Sequence, residues 1–384
     1  MASENQNAKV TRVLLVAPSF DILGGQSVQA ARLMERLEQE PSLRVGFLPI
    51  NPRLPGPLHQ LQKIKYVRTI VTSVAYLLTL LLRVWKYDVI HIFSASYFSF
   101  LIAPTPAILI AKLYGRKVLL NYHSGEAEDH LQRWRRTAIP TAELADVVVV
   151  QSEYLVEVFA KFGLTAHPIN NLIDTAHFPF RKRVPLRPIF LSNRNLESHY
   201  GVHTVLRAFA IIQERIPEAT LTVVGDGSQR QTLESLALEL GLKHTLFRGR
   251  VDPMTIASVY DAADIYLNGS EIDNQPLSLL EAFACGIPII TTDAGGIPNI
   301  VTDGVNGMLV PRGDFALLAE RAMQLLNDSV LATQLIEQGR TECRKYSWDF
   351  VRDAWIETYR TLTTQRGETR LEISDATEEK IATR

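Results

Sequence analysis

The sequence predicts an α/β protein made of two facing, doubly wound parallel-sheet domains, and three observations predict it. At 384 residues the chain exceeds one usual domain. Ten short runs rich in β-branched residues alternate with helical patterns, as parallel strands joined by covering helices require. Between the fifth and sixth runs, NNLIDTAHFPFRKRVPLRP carries prolines, basic residues and no periodicity, as a linker does.

In the first half the expected strands are RVLLVAP, RVGFLPI, DVIHIF, KVLLNYH and DVVVVQS; in the second, PIFLSN, TLTVVGD, TLFRGR, DIYLNGS and IPIITTD. The boundary falls at Arg183, giving domains 1–182 and 183–345, a terminal helix 346–362 that packs back on the first domain, and a mobile polar tail 363–384. Open sheets of this kind bind ligands at the carboxyl ends of their strands, so two facing sheets enclose a cleft.

Composition narrows the function. A net charge of −1 leaves no basic field for nucleic acid, so an anionic ligand must be held by local groups. Cys285 and Cys343 show neither a disulfide framework nor zinc spacing, which fits a reducing compartment. The polar start MASENQNAKV lacks the apolar segment of a signal peptide, so cytoplasmic residence is expected. Thr69 to Leu82 is uncharged but shorter than the ~20 residues of a membrane span. Lys63, Lys65, Arg68, Arg83 and Lys86 bracket it, which suits a core helix with basic ends or a peripheral contact at the inner membrane face. Val89 to Ala111 contains His91, Pro104 and Pro106 and reads as strand, loop and helix.

Residues just past the strands carry the chemistry of such a cleft. Gly24 and Gly25 precede a helical pattern, where glycine lets backbone N–H groups approach a phosphate closely, although a plain turn would also use glycine. No G-x-G-x-x-G or P-loop occurs there, which disfavours dinucleotide binding and NTP hydrolysis. His123 follows KVLLNY and faces the inferred cleft; a hydrogen-bonded loop residue is the plain alternative. Glu126, Glu128, Asp129 and His130 read as a solvated helix start. Arg194 follows PIFLSN, where a guanidinium meets phosphate oxygens bidentately, or forms a surface salt bridge.

The stretch SEIDNQPLSLLEAFACGIPIITTDAGGIP poses the sharpest question. The spacing predicts a helix over Pro276–Cys285, with proline at its first position and Gly286 just past its end. Its leucines, alanines and Phe283 belong in a core, yet Glu281 sits mid-helix on a narrow stripe with Ser278 and Cys285. A carboxylate there needs donors, and a ligand's hydroxyls are expected to supply them. Asp273 stands at the helix mouth, and the N–H groups of Asn274, Gln275 and Leu277 face the same space.

With VVGDG, FRGRV, the Asp273/Glu281 pair, LLEAFACGIPII, AGGIPNIV and DGVNGMLV in that order, the chain resembles the retaining sugar-nucleotide glycosyltransferases of family 4. The resemblance runs from RVLLVAPSFDILGG to SWDFVRDAWIETYR and is strongest from Arg194 to Pro311. It implies the GT-B fold, two facing Rossmann-like domains, with the acceptor on the first and the nucleotide sugar on the second. It also implies roles. Glu281 accepts hydrogen bonds from ribose hydroxyls, and Asp273 contacts the transferred sugar with Asn274, Gln275, Pro276 and Leu277 beside it. Arg194 holds the diphosphate with the Gly24 and Gly25 amides, His123 touches the sugar near its reacting carbon, and Arg250 and Val251 lie by the nucleobase.

Two positions depart from the family. Asp273 replaces the usual glutamate, and Tyr200 stands where a lysine is common, with His199 as a substitute if protonated. No D-x-D metal motif occurs. The implied activity is metal-independent, retaining transfer of a hexose from a nucleotide-diphosphate sugar to a glycan, glycolipid or small-molecule acceptor, with no cofactor. A non-catalytic sugar-nucleotide binder and a sugar-nucleotide epimerase are the alternatives.

Overall fold

A computed structural model describes residues 10–21, 24–54, 56–64 and 67–364 of the chain. The first sheet contains β1 (Thr11–Ala17), β2 (Leu43–Pro49), β3 (Val89–Ser94), β4 (Lys117–Tyr122), β5 (Val147–Val150) and β6 (His167–Pro168), in the order β2-β1-β3-β4-β5-β6. The second contains β7 (Ile189–Asn193), β8 (Thr220–Val224), β9 (Thr245–Gly249), β10 (Ile265–Asn268), β11 (Ile289–Thr292) and β12 (Met308–Val310), in the order β12-β11-β10-β7-β8-β9. Every pairing is parallel. All ten expected strands are present. The two further ones, β6 and β12, are two and three residues long, too short for periodicity to register.

Successive residues of β1 point to opposite faces and enter different layers. Leu14 and Val16 join Ile90, Ile92 and Leu120 against Tyr76, Leu80 and Ala107. Val13, Leu15 and Ala17 join Val89 and Phe93 against Val351, Trp355 and Tyr359. Those last three residues belong to the terminal helix Trp348–Thr364, which therefore lies on the first domain's sheet. Arg352 on the same helix clamps Glu40 through two bonds of 2.6 Å. Thr363 and Thr364 are helical, so the expected tail is shorter by those two residues; its remainder, 365–384, lies outside the described residues.

Four helices of the first domain matter below: α1 (Gly25–Glu38), α2 (Val67–Arg83), α3 (Tyr97–Ile102) and α4 (Pro104–Leu113). α2 buries Tyr76 and Leu80, with Val84 just past its end, so one narrow face meets the core. Its other faces are apolar too, yet Ile70 is 66% exposed, Leu78 56% and Leu82 68%. The segment is thus not the core helix its sequence suggests. The helical run Val67–Lys86 is 20 residues long with mean hydropathy 1.6, and 17% of its apolar window is buried.

Burial also fixes histidines of the first domain in the neutral form. His91 is stacked between Phe93 and Trp355 at 4.9 and 5.1 Å, and burial, then neighbouring His123, holds its pKa well below the usual value. Asn121 Nδ2 donates to its Nε2 at 3.0 Å, so the ring proton sits on Nδ1 and points at Tyr359 Oη, 2.7 Å away. His130, expected at a solvated helix start, is instead fully buried; burial lowers its pKa to about 4 against a smaller opposing pull from Asp129. A histidine with a depressed folded pKa lets the unfolded chain bind a proton the native state refuses, so stability falls as pH drops below the unfolded value. Each such residue predicts a loss approaching about 1.4 kcal/mol per pH unit as the pH falls below about 6.5 toward the carboxylate range. Urea midpoints compared at about pH 7 and about pH 5 test this, and a flat profile would contradict it.

Candidate active site

Each sheet has a switch point, where strands on either side are wound in opposite directions and the loops part to leave a crevice. In the first sheet it lies between β1 and β3, and in the second between β7 and β10. The two crevices face each other and form one cavity of about 570 Å³. All twelve candidate site residues border it.

Gly24 and Gly25 form the turn from β1 into α1. Gly24 is extended at φ −171° and caps the helix, and Gly25 is outside the left-handed region, so backbone conformation does not demand glycine at either position. A Cβ on Gly25 would meet nothing within 4 Å, and one on Gly24 only Ser27 Oγ at 4.0 Å. Packing does not demand glycine there either. What the pair preserves is open space beside backbone amides at a helix start, the requirement of a close-approaching anion. Gly295 and Gly296 are the opposite case. Gly295 has φ +52°, and side chains on the two would strike the Asp273 and Asn274 carbonyls at 2.0 and 2.5 Å, so here the glycines serve the fold of the loop.

Arg194 follows β7, and its side chain is 9% exposed. Its Nη2 lies 2.5 Å from Asp273 Oδ2, its Nη1 donates to Ser278 Oγ at 3.2 Å, and its plane sits 4.2 Å over the Tyr200 ring. Burial, the largest single influence, would lower its pKa; Asp273 together with Tyr200, Tyr266 and Tyr260 outweighs it and raises the pKa, so the guanidinium stays charged. The sequence assigned Arg194 and Asp273 to separate ligand groups. In the structure they are paired to each other, because both are drawn from strand ends of adjacent strands into one enclosed space. Arg194 Nε is enclosed and has no protein partner. Tyr200, at the position of the family's lysine, is the ring on which the arginine rests.

Glu281 is 7% exposed and borders the cavity. Its helix runs Leu277–Cys285, with Pro276 as the residue before it rather than its first turn, and every residue from Ser278 to Cys285 is buried. The expectation that its donors come only from a ligand is overturned. Arg32 of α1 reaches across the cleft to Oε1 at 3.0 Å, and the Tyr260 hydroxyl donates to Oε2 at 2.9 Å. Burial, then the Glu281 charge, pushes the Tyr260 pKa up, so it remains a donor. Arg32 gave no signal in sequence, where it reads as one more basic residue on a helix face. Tyr260 was equally unmarked.

The loop Asp273–Gln275 is held to the first domain by amides. Asn274 Nδ2 donates to Gln151 Oε1 at 3.1 Å, and its Oδ1 accepts a short bond from Ser152 Oγ. Gln151 Nε2 passes on to Asn121 Oδ1 at 2.8 Å, and Asn121 to His91. Gln275 donates to the Gln151 carbonyl at 2.7 Å and Asn170 Oδ1 at 2.9 Å, while Asn171 N donates to Gln275 Oε1 at 2.6 Å. Gln151 was missed, although its place just past a strand end was the available signal. His123 also follows a strand, half-buried against Phe93 at 5.0 Å; its enclosed Nε2 has no protein partner, and burial lowers its pKa to about 3. Arg250 and Val251 border the cavity beyond β9, with Arg250 Nε 3.8 Å from Asp226 Oδ2. Pro276 and Leu277 border its floor.

Two six-stranded parallel sheets opposed across such a cavity define a two-domain GT-B protein. The Glycosyltransferase Family 4 model matches residues 23–177 and the Glycosyl transferases group 1 model residues 175–342, so the two run almost end to end. The chain is a glycosyltransferase of the family 4 type. It is 27% identical over 303 residues to glycogen synthase of Mycobacterium tuberculosis, covering 74% of this chain and 71% of that one. It is 29% identical over 206 residues to phosphatidyl-myo-inositol mannosyltransferase of Mycobacterium leprae, covering 53% of each. HepE of Anabaena, crystallised with UDP-glucose, shares the fold at TM-score 0.73 and 18% identity, covering 91% of this chain and 99% of HepE.

Substituting Gln151 with alanine strips partners from Asn121 and Asn274 at once. The expected destabilisation is ~1–3 kcal/mol, the cost of leaving buried polar groups unpaired. Urea unfolding measures it, and a change under ~0.5 kcal/mol would mean the amide chain is not a support.

Proposed function

We propose that the protein transfers a hexose from a nucleotide-diphosphate sugar to an acceptor hydroxyl, with retention of anomeric configuration and without a metal ion or other cofactor. The observation that carries this reading is Arg194: a charged, enclosed guanidinium with an unpartnered Nε, at one switch point, opposite the open Gly25 amide at the other. That is a cradle for a diphosphate with donors on both walls. HepE's crystallisation with UDP-glucose supports a sugar-nucleotide donor.

In the reaction, the C–O bond between the sugar's anomeric carbon and the diphosphate breaks, and its electron pair goes to the departing phosphate oxygen. Arg194 and the Gly24 and Gly25 amides stabilise that charge, which grows toward the transition state. The acceptor oxygen bonds to the anomeric carbon on the face the diphosphate leaves, and its proton passes to the departing phosphate. Neutral His123 takes a sugar hydroxyl at Nε2, and Asp273 accepts others. Glu281 accepts the ribose hydroxyls with Arg32 beside it, and Arg250 and Val251 flank the base. The acceptor, a glycan, glycolipid or small molecule, lies against the first domain, in a cytoplasmic protein with a peripheral contact at the inner membrane face.

A non-catalytic sugar-nucleotide binder is the second reading, and the stacking of Arg194 on Tyr200, where the family's lysine would stand, favours it. Turnover separates the two. Thermal-shift screening against UDP, GDP and ADP sugars identifies the donor, since a ligand of the folded form raises its melting temperature. With that donor, Arg194→Ala is expected to lower kcat by ~100-fold, about 3 kcal/mol; near-normal turnover removes the leaving-group role. Glu281→Gln is expected to weaken nucleoside diphosphate binding with the fold intact, and unchanged affinity in calorimetry removes the ribose role.

A further inference from the structure

The outward face of α2, α3 and α4 is apolar and, among the described residues, uncovered. Along α2 the exposed side chains Ile70, Val74, Leu77, Leu78, Leu81 and Leu82 recur at helical spacing, and Trp85 continues the line. α4 adds Leu109 and Leu113, the latter 77% exposed, and α3 adds Phe98 and Leu101. The helices pack side by side, α2 against α4 and α4 against α3. Their ends are tied where Tyr114 Oη donates to the Leu81 carbonyl at 3.1 Å and Arg116 to the Trp85 carbonyl at 2.6 Å. A continuous exposed apolar surface of this extent marks an interaction face.

Charge selects the partner. From Pro41 to Gly125 the chain has ten lysines and arginines and a single acid, Asp88, which pairs with Arg12; Arg53, Lys112 and Lys117 are met by Asp21 and Asp146 from outside that stretch, and the others leave it positive although the whole protein nets −1. Lys63, Arg68 and Lys86 are exposed at the two ends of α2, and Lys86 Nζ stands 5.4 Å over the Trp85 ring. A second copy would oppose this excess of positive charge with its own. A bilayer with anionic headgroups meets both demands: acyl chains accept the leucines, phosphates meet the lysines and arginines, and tryptophan sits between.

We propose that this face docks on an anionic lipid bilayer and holds the mouth of the cavity beside it. α3 makes the connection, since Tyr97 and Ser99 border the cavity while Phe98 and Leu101 face outward. An acceptor hydroxyl carried on a lipid headgroup then enters over α3. Docking stands by itself; delivery of a lipid-borne acceptor rests on the transferase reading above.

Sedimentation of the full chain with vesicles tests docking without any donor. Vesicles of phosphatidylcholine mixed with an equal amount of phosphatidylglycerol are expected to bind it on the order of tenfold or more tighter than phosphatidylcholine alone, and added salt to weaken the difference. The double variant Leu78→Glu, Leu82→Glu changes only exposed side chains, so it should keep its melting temperature and its thermal response to UDP or GDP while losing vesicle binding. The proposal is overturned if the wild type stays in solution with the mixed vesicles, or if the double variant sediments with them equally well. It is also overturned if the wild type is a dimer that the double variant separates into monomers, because the face then covers a second copy. Vesicle binding without any nucleotide response would support docking and count against the donor reading alone.

Discussion

The position of the donor-side loop depends on one constraint: polar groups enclosed between the domains must find partners. Asp273, Asn274 and Gln275 are all buried; Asp273 is satisfied within the second domain by Arg194 and Ser270, but the two amides are not. Asn274 and Gln275 complete their hydrogen bonds on Gln151, Ser152, Asn170 and Asn171 of the first domain and its exit segment. An amide seam has little tolerance for misregistry, since a small shift unpairs several buried groups together. Oily contacts would slide more easily. The loop that meets the cavity is therefore aimed by the opposite domain.

Charge inside the cavity is arranged as two pairs, Arg194 with Asp273 and Arg32 with Glu281. Leaving any of these groups alone at such depth would be costly, whereas a pair with further hydrogen bonds is tolerated. Each pair joins a cation suited to phosphate with a carboxylate suited to hydroxyls. In the proposed reaction a sugar nucleotide offers both kinds of group, phosphate to the cations and hydroxyls to the carboxylates.

Ten of the twelve strands were legible because buried parallel strands write long β-branched runs, and the strand-end rule then pointed to Gly24, His123, Arg194 and Asp273. Glu281 was legible as an anomaly in an apolar helix, but its partners were not. Arg32 and Tyr260 meet it only through tertiary packing, and nothing in their own neighbourhoods distinguishes them. α2 was left between a core helix and a peripheral contact for a related reason: hydrophobicity on every side fits a core helix and an exposed one facing something other than water. Only the burial of Tyr76 and Leu80 alone among its leucine-rich turns separates the cases. His130 was misjudged through its acidic neighbours, which stay near the surface while its ring turns inward.

The chain passes between the domains twice, once in the segment after β6 and once on the way into the terminal helix. The crossings touch, with Ile173 N donating to the Tyr346 carbonyl at 2.8 Å. Two tethers fastened side by side form a short axle between the halves. Arg32 also donates to the Leu172 carbonyl next to that axle, at 3.4 Å, so the Arg32–Glu281 contact lies near the line about which the halves turn. Displacement grows with distance from an axis. The clamp on Glu281 thus lies beside the crossings, where any rotation of one half against the other would displace it least.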